Sequence, residues 1–239
     1  MQVVVVVPCF NEARRMAAGT FVPFFQVSGV ELLFVDDGST DATFDVLTAM
    51  TQPWGKRAGV LRLEHNVGKA EAVRAGLREA LERGAAIVGY YDADGATPAQ
   101  DMLALLKVLQ ERGAQMAMAS RVALLGRDIE RHAYRHYTGR VFATLASLIL
   151  DLRVYDTQCG AKFLVASEPL RRALTAPFLS RWAFDVELIG RLRQEGLRPT
   201  DFIEMPVQAW RDVAGSKLKV STYPRVLGEL ARMALRLRR

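Results

Sequence analysis

Apolar residues occur along this chain in short unbroken runs that alternate with stretches of helical spacing. The first run, residues 2–7, contains five consecutive valines and reads as a strand buried on both faces. Similar runs follow at 31–35, 59–63, 85–91 and 114–119. Between them the pattern predicts helices: one opening at Phe10-Asn11-Glu12 and running towards Phe25, one capped by Ser39 or Thr40 and continuing to Met50, one from Ala70 to Arg83, and one from Ala99 to Arg112 behind Pro98. Strands alternating with helices of this length build βαβ units, so the fold class is α/β with a mostly parallel sheet.

Beyond Arg121 the alternation becomes irregular. Arg127, Arg131, Arg135 and Arg140 lead into an apolar helix at 141–150. A short strand, Lys162 to Val165, follows Asp156-Thr157-Gln158-Cys159-Gly160, and a helix opens at Trp182 to Glu187 and runs through Gln194. Residues 202–207 read as a last strand. A terminal helix carries Val226, Leu230, Met233 and Leu237 on one face, with Arg225, Glu229, Arg232, Arg236 and Arg239 elsewhere on its surface.

Composition narrows the class. With 239 residues and half of them apolar, the chain can bury a full core, as one large α/β domain or two small ones. The N-terminus has no basic region and no cleavage site, so no signal peptide is expected, and the run at 141–150 is too short to span a membrane. Two cysteines, Cys9 and Cys159, make no disulfide framework and read as small buried fillers in a reducing cytoplasm. The net charge of +6 resides in the segment from Gln208 onward, which holds eight basic residues and two acidic ones. A basic tail of this kind suits an anionic partner: a membrane surface, a nucleic acid or a phosphorylated substrate. It lacks the interleaved aromatics of a single-strand nucleic-acid binder.

Candidate chemistry collects where strands end. Tyr90-Tyr91-Asp92-Ala93-Asp94-Gly95 places two carboxylates one residue apart after an apolar strand. In an open α/β sheet that is where ligands bind. Like charges held that close call for a cation, and a hard divalent ion using one or two carboxylates plus ligand phosphates suits them. A solvated turn is the plain alternative, since Asp and Gly form turns in any protein. Loops 8–12 and 36–41 fall on the same rim, where Asp37 can accept from a base or ribose and Lys69, beside Gly68, can meet a phosphate. There is no Gly-x-Gly-x-x-Gly and no P-loop. His132 and His136, four apart among arginines, read as part of a basic face rather than a metal pair, and His65 reads as structural. No Ser-His-Asp constellation is evident, and nothing in the sequence marks Cys159 as a nucleophile.

Seven motifs carry a resemblance over nearly the whole chain. Val7-Pro8-Cys9-Phe10-Asn11-Glu12, Val35-Asp36-Asp37-Gly38-Ser39-Thr40-Asp41, Asn66-Val67-Gly68-Lys69 and Asp92-Ala93-Asp94-Gly95 come in the order and spacing of glycosyltransferase family 2. Asp156-Thr157-Gln158-Cys159-Gly160-Ala161-Lys162-Phe163, Arg181 to Leu188 and Gly215-Ser216-Lys217-Leu218 resemble its dolichyl-phosphate β-glucosyltransferase branch, close to the dolichyl-phosphate mannose synthases. Gly95-Ala96-Thr97 is similar to the glucosyl rather than the mannosyl branch. The eukaryotic glucosyl enzymes carry a membrane anchor ahead of the first strand, where this sequence begins.

The resemblance implies a GT-A fold: a Rossmann-like, mostly parallel central sheet flanked by helices, in a single domain over residues 1–239. Within it, 1–120 would be the nucleotide-sugar half, 121–210 the acceptor half and 211–239 a basic C-terminal segment. It implies an inverting transfer of a hexose, glucose from UDP-glucose, to a polyprenyl or dolichyl phosphate. GDP-mannose as donor, a soluble acceptor and a non-catalytic nucleotide-sugar-binding module are the alternatives. Pro8, Phe10, Glu12 and Asp37 would line the nucleoside pocket, and Lys69 and Arg121 would add charge near the phosphates. Asp92 and Asp94 would hold Mg²⁺ or Mn²⁺ on the diphosphate. Asp156 and Asp185 are the candidate bases, with Glu187 a third. Arg131, Arg135, Arg140 and Lys217 would position an acceptor phosphate. The protein is expected in the cytoplasm, peripheral on the cytoplasmic face of a membrane, with no nucleic-acid partner.

Overall fold

The computed structural model describes residues 1–130, 133–211 and 223–237. The first half runs β1 (Val3–Cys9), α1 (Val22–Phe25), β2 (Val30–Asp36), α2 (Thr43–Thr51), β3 (Ala58–Arg62), α3 (Lys69–Glu82), β4 (Ile87–Tyr91), α4 (Ala99–Arg112) and β5 (Met116–Ser120). The second runs β6 (Asp128–Glu130), α5 (Ala133–Leu150), β7 (Ala161–Val165), α6 (Glu168–Ala173), α7 (Phe184–Gln194), β8 (Phe202–Pro206), β9 (Ala209–Arg211) and α8 (Tyr223–Leu237).

Among the described residues, seven strands form one sheet in the order β3-β2-β1-β4-β7-β5-β8, and β6 pairs with β9 in a separate ribbon. Every pairing in the main sheet is parallel except those of β7, which runs antiparallel to both β4 and β5. β7 starts at the rim where β4 ends, with Ala161 opposite Tyr91, so it runs back through the sheet centre. A strand from the second half is thereby built into the core of the first.

Strand alternation divides the core in two. Val4, Val6, Leu33, Val35, Val88, Tyr90 and Met118 face one side, under α3, α5, α7 and α8. Val3, Val5, Val7, Phe34, Ile87, Tyr91 and Phe163 face the other, against Phe21, Phe24 and α4. The valine run of β1 is apolar throughout because both faces are covered. Gly76 lets α3 lie close on the sheet, since a Cβ there would stand 2.4 Å from Val6 Cγ1.

Several elements depart from the sequence reading. No continuous helix runs from Phe10 towards Phe25. Asn11 adopts φ 55°, Glu12 O closes a turn with the amides of Arg15 and Met16, and only a short 3₁₀ turn and α1 follow. Neither Ser39 nor Thr40 caps α2. Ser39 Oγ accepts from Asn11 N at 3.0 Å, and Asp41 Oδ1 instead takes Thr43 N at 2.9 Å. The apolar stretch 141–150 is the second half of a longer helix, α5, that starts at Ala133. α6 and the β6–β9 ribbon carry no strong periodicity and were not expected.

Candidate active site

Adjacent parallel strands β2, β1 and β4 deliver loops 36–41, 8–12 and 92–98 to one rim of the sheet. The first two loops are laced together. Asn11 Oδ1 accepts from Thr40 N at 2.9 Å, and Thr43 Oγ1 accepts from the amides of Glu12 at 2.8 Å and Ala13 at 3.0 Å. Pro8 and Phe10 are half-buried there, while Glu12 is buried and held by the Arg15 guanidinium.

Asp37 is buried with both carboxylate oxygens engaged. Oδ1 accepts from Val67 N at 2.8 Å, and Oδ2 from Gly68 N at 2.9 Å and Asn66 Nδ2 at 3.0 Å. Burial pushes this carboxyl above the usual aspartate range, against the opposing pull of the two amides. The aspartate thus fixes the turn that aims Lys69 at the site. Gly68 enters that turn at φ 95°, where Arg181 Nε would lie 2.9 Å from any Cβ.

Lys69 Nζ lies 2.6 Å from Asp92 Oδ1. Asp92 itself is pinned by its amide, which donates to Gly160 O at 2.9 Å. A Cβ on Gly160 would stand 2.0 Å from Asp92 Oδ2, so only glycine admits the carboxylate there. Asp94 Oδ1 accepts from Ala96 N at 3.1 Å. Its carboxyl is raised by burial and then by Asp92, with Lys69 and Arg15 pulling the other way. Burial works to lower the Lys69 ammonium, yet Asp92, Asp185 and Asp94 outweigh it and raise the group.

The donor set suits a hard divalent cation. Burial and then the nearby Asp92 raise the Asp94 carboxyl, a cation would relieve both, and oxygen is the only ligand atom the pair offers. Among the described residues no group of three or more His, Cys, Asp or Glu gathers as a closed metal cage. An ion on two carboxylates is of the kind that keeps ligand phosphates and water in its shell, as Mg²⁺ does.

Across the rim from Lys69, Arg121 is committed to Asp156. Nε donates to Oδ2 at 2.6 Å, Nη2 to Oδ1 at 2.9 Å, and the backbone amide adds a third bond to Oδ2 at 3.1 Å. Burial opposes the charge on Arg121, but Asp156 holds the guanidinium firmly protonated. Glu204 on β8 supports the pair by accepting the amides of Tyr155 and Asp156. Asp185, in the first turn of α7, accepts from Lys162 Nζ at 2.6 Å and from the Tyr90 hydroxyl, both at Oδ1. Glu187 serves the fold: Oε2 takes the amides of Leu179 and Ser180, and Oε1 takes Arg191.

Arg140 is exposed on α5, with its guanidinium 4.2 Å from the centre of the Tyr155 ring. Arg131, His132 and Lys217 lie outside the described residues, as do the side chains of Arg135 and His136. His65 is exposed. Cys9 and Cys159 are buried free thiols raised by that burial, which suits fillers. Four residues next to the site were given no role by the sequence reading: Arg15, Tyr90, Gly160 and Lys162. The last had a signal, a lysine inside the apolar strand Ala161-Lys162-Phe163-Leu164-Val165.

Comparison with known proteins shows the family and the fold. A family model described as Glycosyl transferase family 2 matches residues 4–168. The dolichyl-phosphate beta-glucosyltransferase of Mus musculus is 34% identical over 237 residues, spanning 91% of this chain and 69% of that protein. The polyprenol monophosphomannose synthase of Mycolicibacterium smegmatis is 23% identical over 234 residues, spanning 97% of this chain and 86% of that one. The solved structure of glucosyl-3-phosphoglycerate synthase from Mycobacterium tuberculosis, in complex with Mn²⁺, uridine-diphosphate and phosphoglyceric acid, superposes with a TM-score of 0.66 at 18% identity. That superposition covers 98% of this chain and 78% of the other.

Proposed function

The chain belongs to glycosyl transferase family 2 and has the GT-A fold, and from that premise we propose that it transfers glucose from UDP-glucose to the phosphate of a polyprenyl lipid, with inversion at the sugar. One observation carries the choice of substrates: the 34% identity to a dolichyl-phosphate beta-glucosyltransferase, spread over 91% of the chain. The site chemistry is compatible with it. Pro8, Phe10, Glu12 and Asp37 are assigned to the nucleoside pocket, Asp37 also holding the turn beneath it. Asp92 and Asp94 would hold Mg²⁺ or Mn²⁺, which supplies positive charge against the diphosphate as it leaves. Lys69, 2.6 Å from Asp92, adds a second positive charge to that centre.

A lipid phosphate brings its own nucleophile. Its second pKa lies near ~6, so at neutral pH the attacking oxygen is already mostly unprotonated, and no strong base is required. Asp156 is locked to Arg121, and Asp185 to Lys162 and Tyr90, which suits residues that orient rather than deprotonate. Arg131, Arg135, Arg140 and Lys217 are assigned to the acceptor phosphate, three of them resting on sequence alone. The protein is placed on the cytoplasmic face of a membrane, held peripherally.

GDP-mannose is the second reading for the donor, favoured by the relationship to the mycobacterial mannose synthase. The test runs labelled UDP-glucose and GDP-mannose side by side with a polyprenyl phosphate, in Mg²⁺ and in Mn²⁺. Glucosyl lipid from UDP-glucose supports the proposal. Mannosyl lipid alone replaces the donor, and transfer only to water-soluble acceptors removes the lipid.

A further inference from the structure

Lys162 is a charge in the middle of the sheet. It stands on β7 directly opposite Tyr90 on β4 and Met118 on β5, its side chain has 0% exposure, and Phe184 packs on the Tyr90 ring beside it. A buried ammonium persists only where its charge and its hydrogens are matched. Here Nζ donates to Asp185 Oδ1 at 2.6 Å and to Cys159 O at 2.5 Å, and lies 5.1 Å from the centre of the Tyr90 ring. The Tyr90 hydroxyl donates to the same Asp185 oxygen.

These contacts join three segments that each carry a site residue. β4 runs from Tyr90 into Asp92 and Asp94. The 156–160 loop, gripped at Cys159 O, presents Gly160 to the Asp92 amide and Asp156 to Arg121. The first turn of α7 carries Asp185. No apolar side chain in this position makes such a junction, because packing alone fixes neither the rotation of a carboxylate nor the height of a loop carbonyl.

We propose that Lys162, assisted by Tyr90, is the positioning residue of the transfer centre: its ammonium fixes the Asp185 carboxylate and the 156–160 loop relative to the two carboxylates at the end of β4. Lys162 is fully buried, with its ammonium spent on Asp185 and on Cys159 O. It acts through Asp185 and through the loop that shapes the seat of Asp92. The inference rests on the transferase reading above, but not on which acceptor is used.

The test is a double-mutant cycle in the full chain, reading kcat and KM for UDP-glucose together with UDP binding by calorimetry. Lys162→Met keeps length and volume and removes the charge. Its kcat is expected to fall about 100-fold, with the UDP dissociation constant changed less than about threefold, as for loss of an interaction that matters only during transfer. Lys162→Met combined with Asp185→Asn is expected to be no worse than about threefold below the poorer single variant, because groups acting as a unit are non-additive. A kcat within about twofold of wild type, or losses that multiply, overturns the proposal.

If Lys162→Met does not fold, Tyr90→Phe decides, since it deletes only the hydroxyl. A kcat lowered about three- to tenfold at unchanged KM supports the positioning role, and wild-type kcat overturns it. The wild-type enzyme is assayed first with polyprenyl phosphate. No transfer there sinks the acceptor reading alone, and the variants are then compared by UDP release with whichever soluble phosphate acceptor, or water, the wild type uses.

Discussion

Asp94 carries the raised carboxyl of the pair at the end of β4. Burial and the neighbouring Asp92 raise its carboxyl, so a proton competes for it at a higher pH than for an exposed aspartate, which titrates near about 4. A raised carboxyl makes the metal-free fold most at ease below its titration and less so once ionised, and a bound cation reverses that penalty. Mn²⁺ with UDP is therefore expected to raise the melting temperature more at pH 7.5 than at pH 5, with proton uptake by the protein as the ion leaves. Equal shifts at both pH values would remove Asp94 from the ion site. Asp94→Ala is expected to abolish transfer while leaving the fold intact. Gly160→Ala tests the seat of Asp92: a Cβ 2.0 Å from Oδ2 must expel the carboxylate. Transfer is expected to drop at least about 100-fold with a stability loss of about 1–3 kcal/mol, and full activity would show that Asp92 needs no such seat. The carboxylate pair was legible in sequence because spacing alone brings the two together. The roles of Gly160 and Lys162 were not, because Gly160 meets Asp92 only where β7 lies beside β4, and Lys162 meets Asp185 only where α7 covers the sheet.

At the scale of elements, α7 and α8 show how the turn carrying Asp185 is held. The loop before α7 is closed by Glu187, which caps it at Leu179 and Ser180, while Ser180 Oγ donates to Glu229 on α8. α8 thereby braces the turn from which Asp185 projects. Its Leu230 and Met233 are buried, and Leu237 packs on Gly190 of α7, where a Cβ would lie 2.3 Å from Leu237 Cδ1. Met233→Ala is expected to cost about 2–4 kcal/mol in urea unfolding and to lower kcat through the loosened turn. A loss below about 0.5 kcal/mol would mean that α8 is not docked in solution. The apolar stripe of α8 was visible in sequence because the helix has one partner side. The region from Phe10 to Phe25 misled for the opposite reason. Its apolar Phe21, Phe24 and Phe25 are real core residues, but the left-handed Asn11 and the Glu12 turn serve the rim, and that local geometry overrides helical spacing.

For the whole molecule, the question is how a protein of this shape would meet the lipid phosphate proposed as its acceptor. Among the described residues, no helix is long and apolar enough to cross a membrane. The surface of α5 and α8 nevertheless combines two features of an interfacial face. Val141 and Leu148, seven residues apart on one side of α5, are 61% and 68% exposed, and Leu235 on α8 is 73% exposed. Arg140, Arg232 and Arg236 are exposed on the same two helices, which pack against each other. The buried stripe of α8 does not consume its charges, so packing on the domain and docking on a bilayer are compatible. Each basic residue near an anionic surface contributes roughly 1 kcal/mol, and each exposed apolar side chain adds its own insertion energy. Sedimentation with anionic vesicles at low salt is expected to bring the protein down, with neutral vesicles binding less and high salt weakening the anionic case. Arg232→Glu with Arg236→Glu is expected to cut anionic binding at least about tenfold while leaving UDP affinity unchanged. Leu148→Asp is expected to lower binding to both kinds of vesicle, because it removes insertion rather than attraction. If the wild-type protein ignores vesicles of either kind at every salt concentration and still glucosylates a soluble acceptor at full rate, the α5–α8 face is not a membrane surface. The lipid phosphate then falls with it.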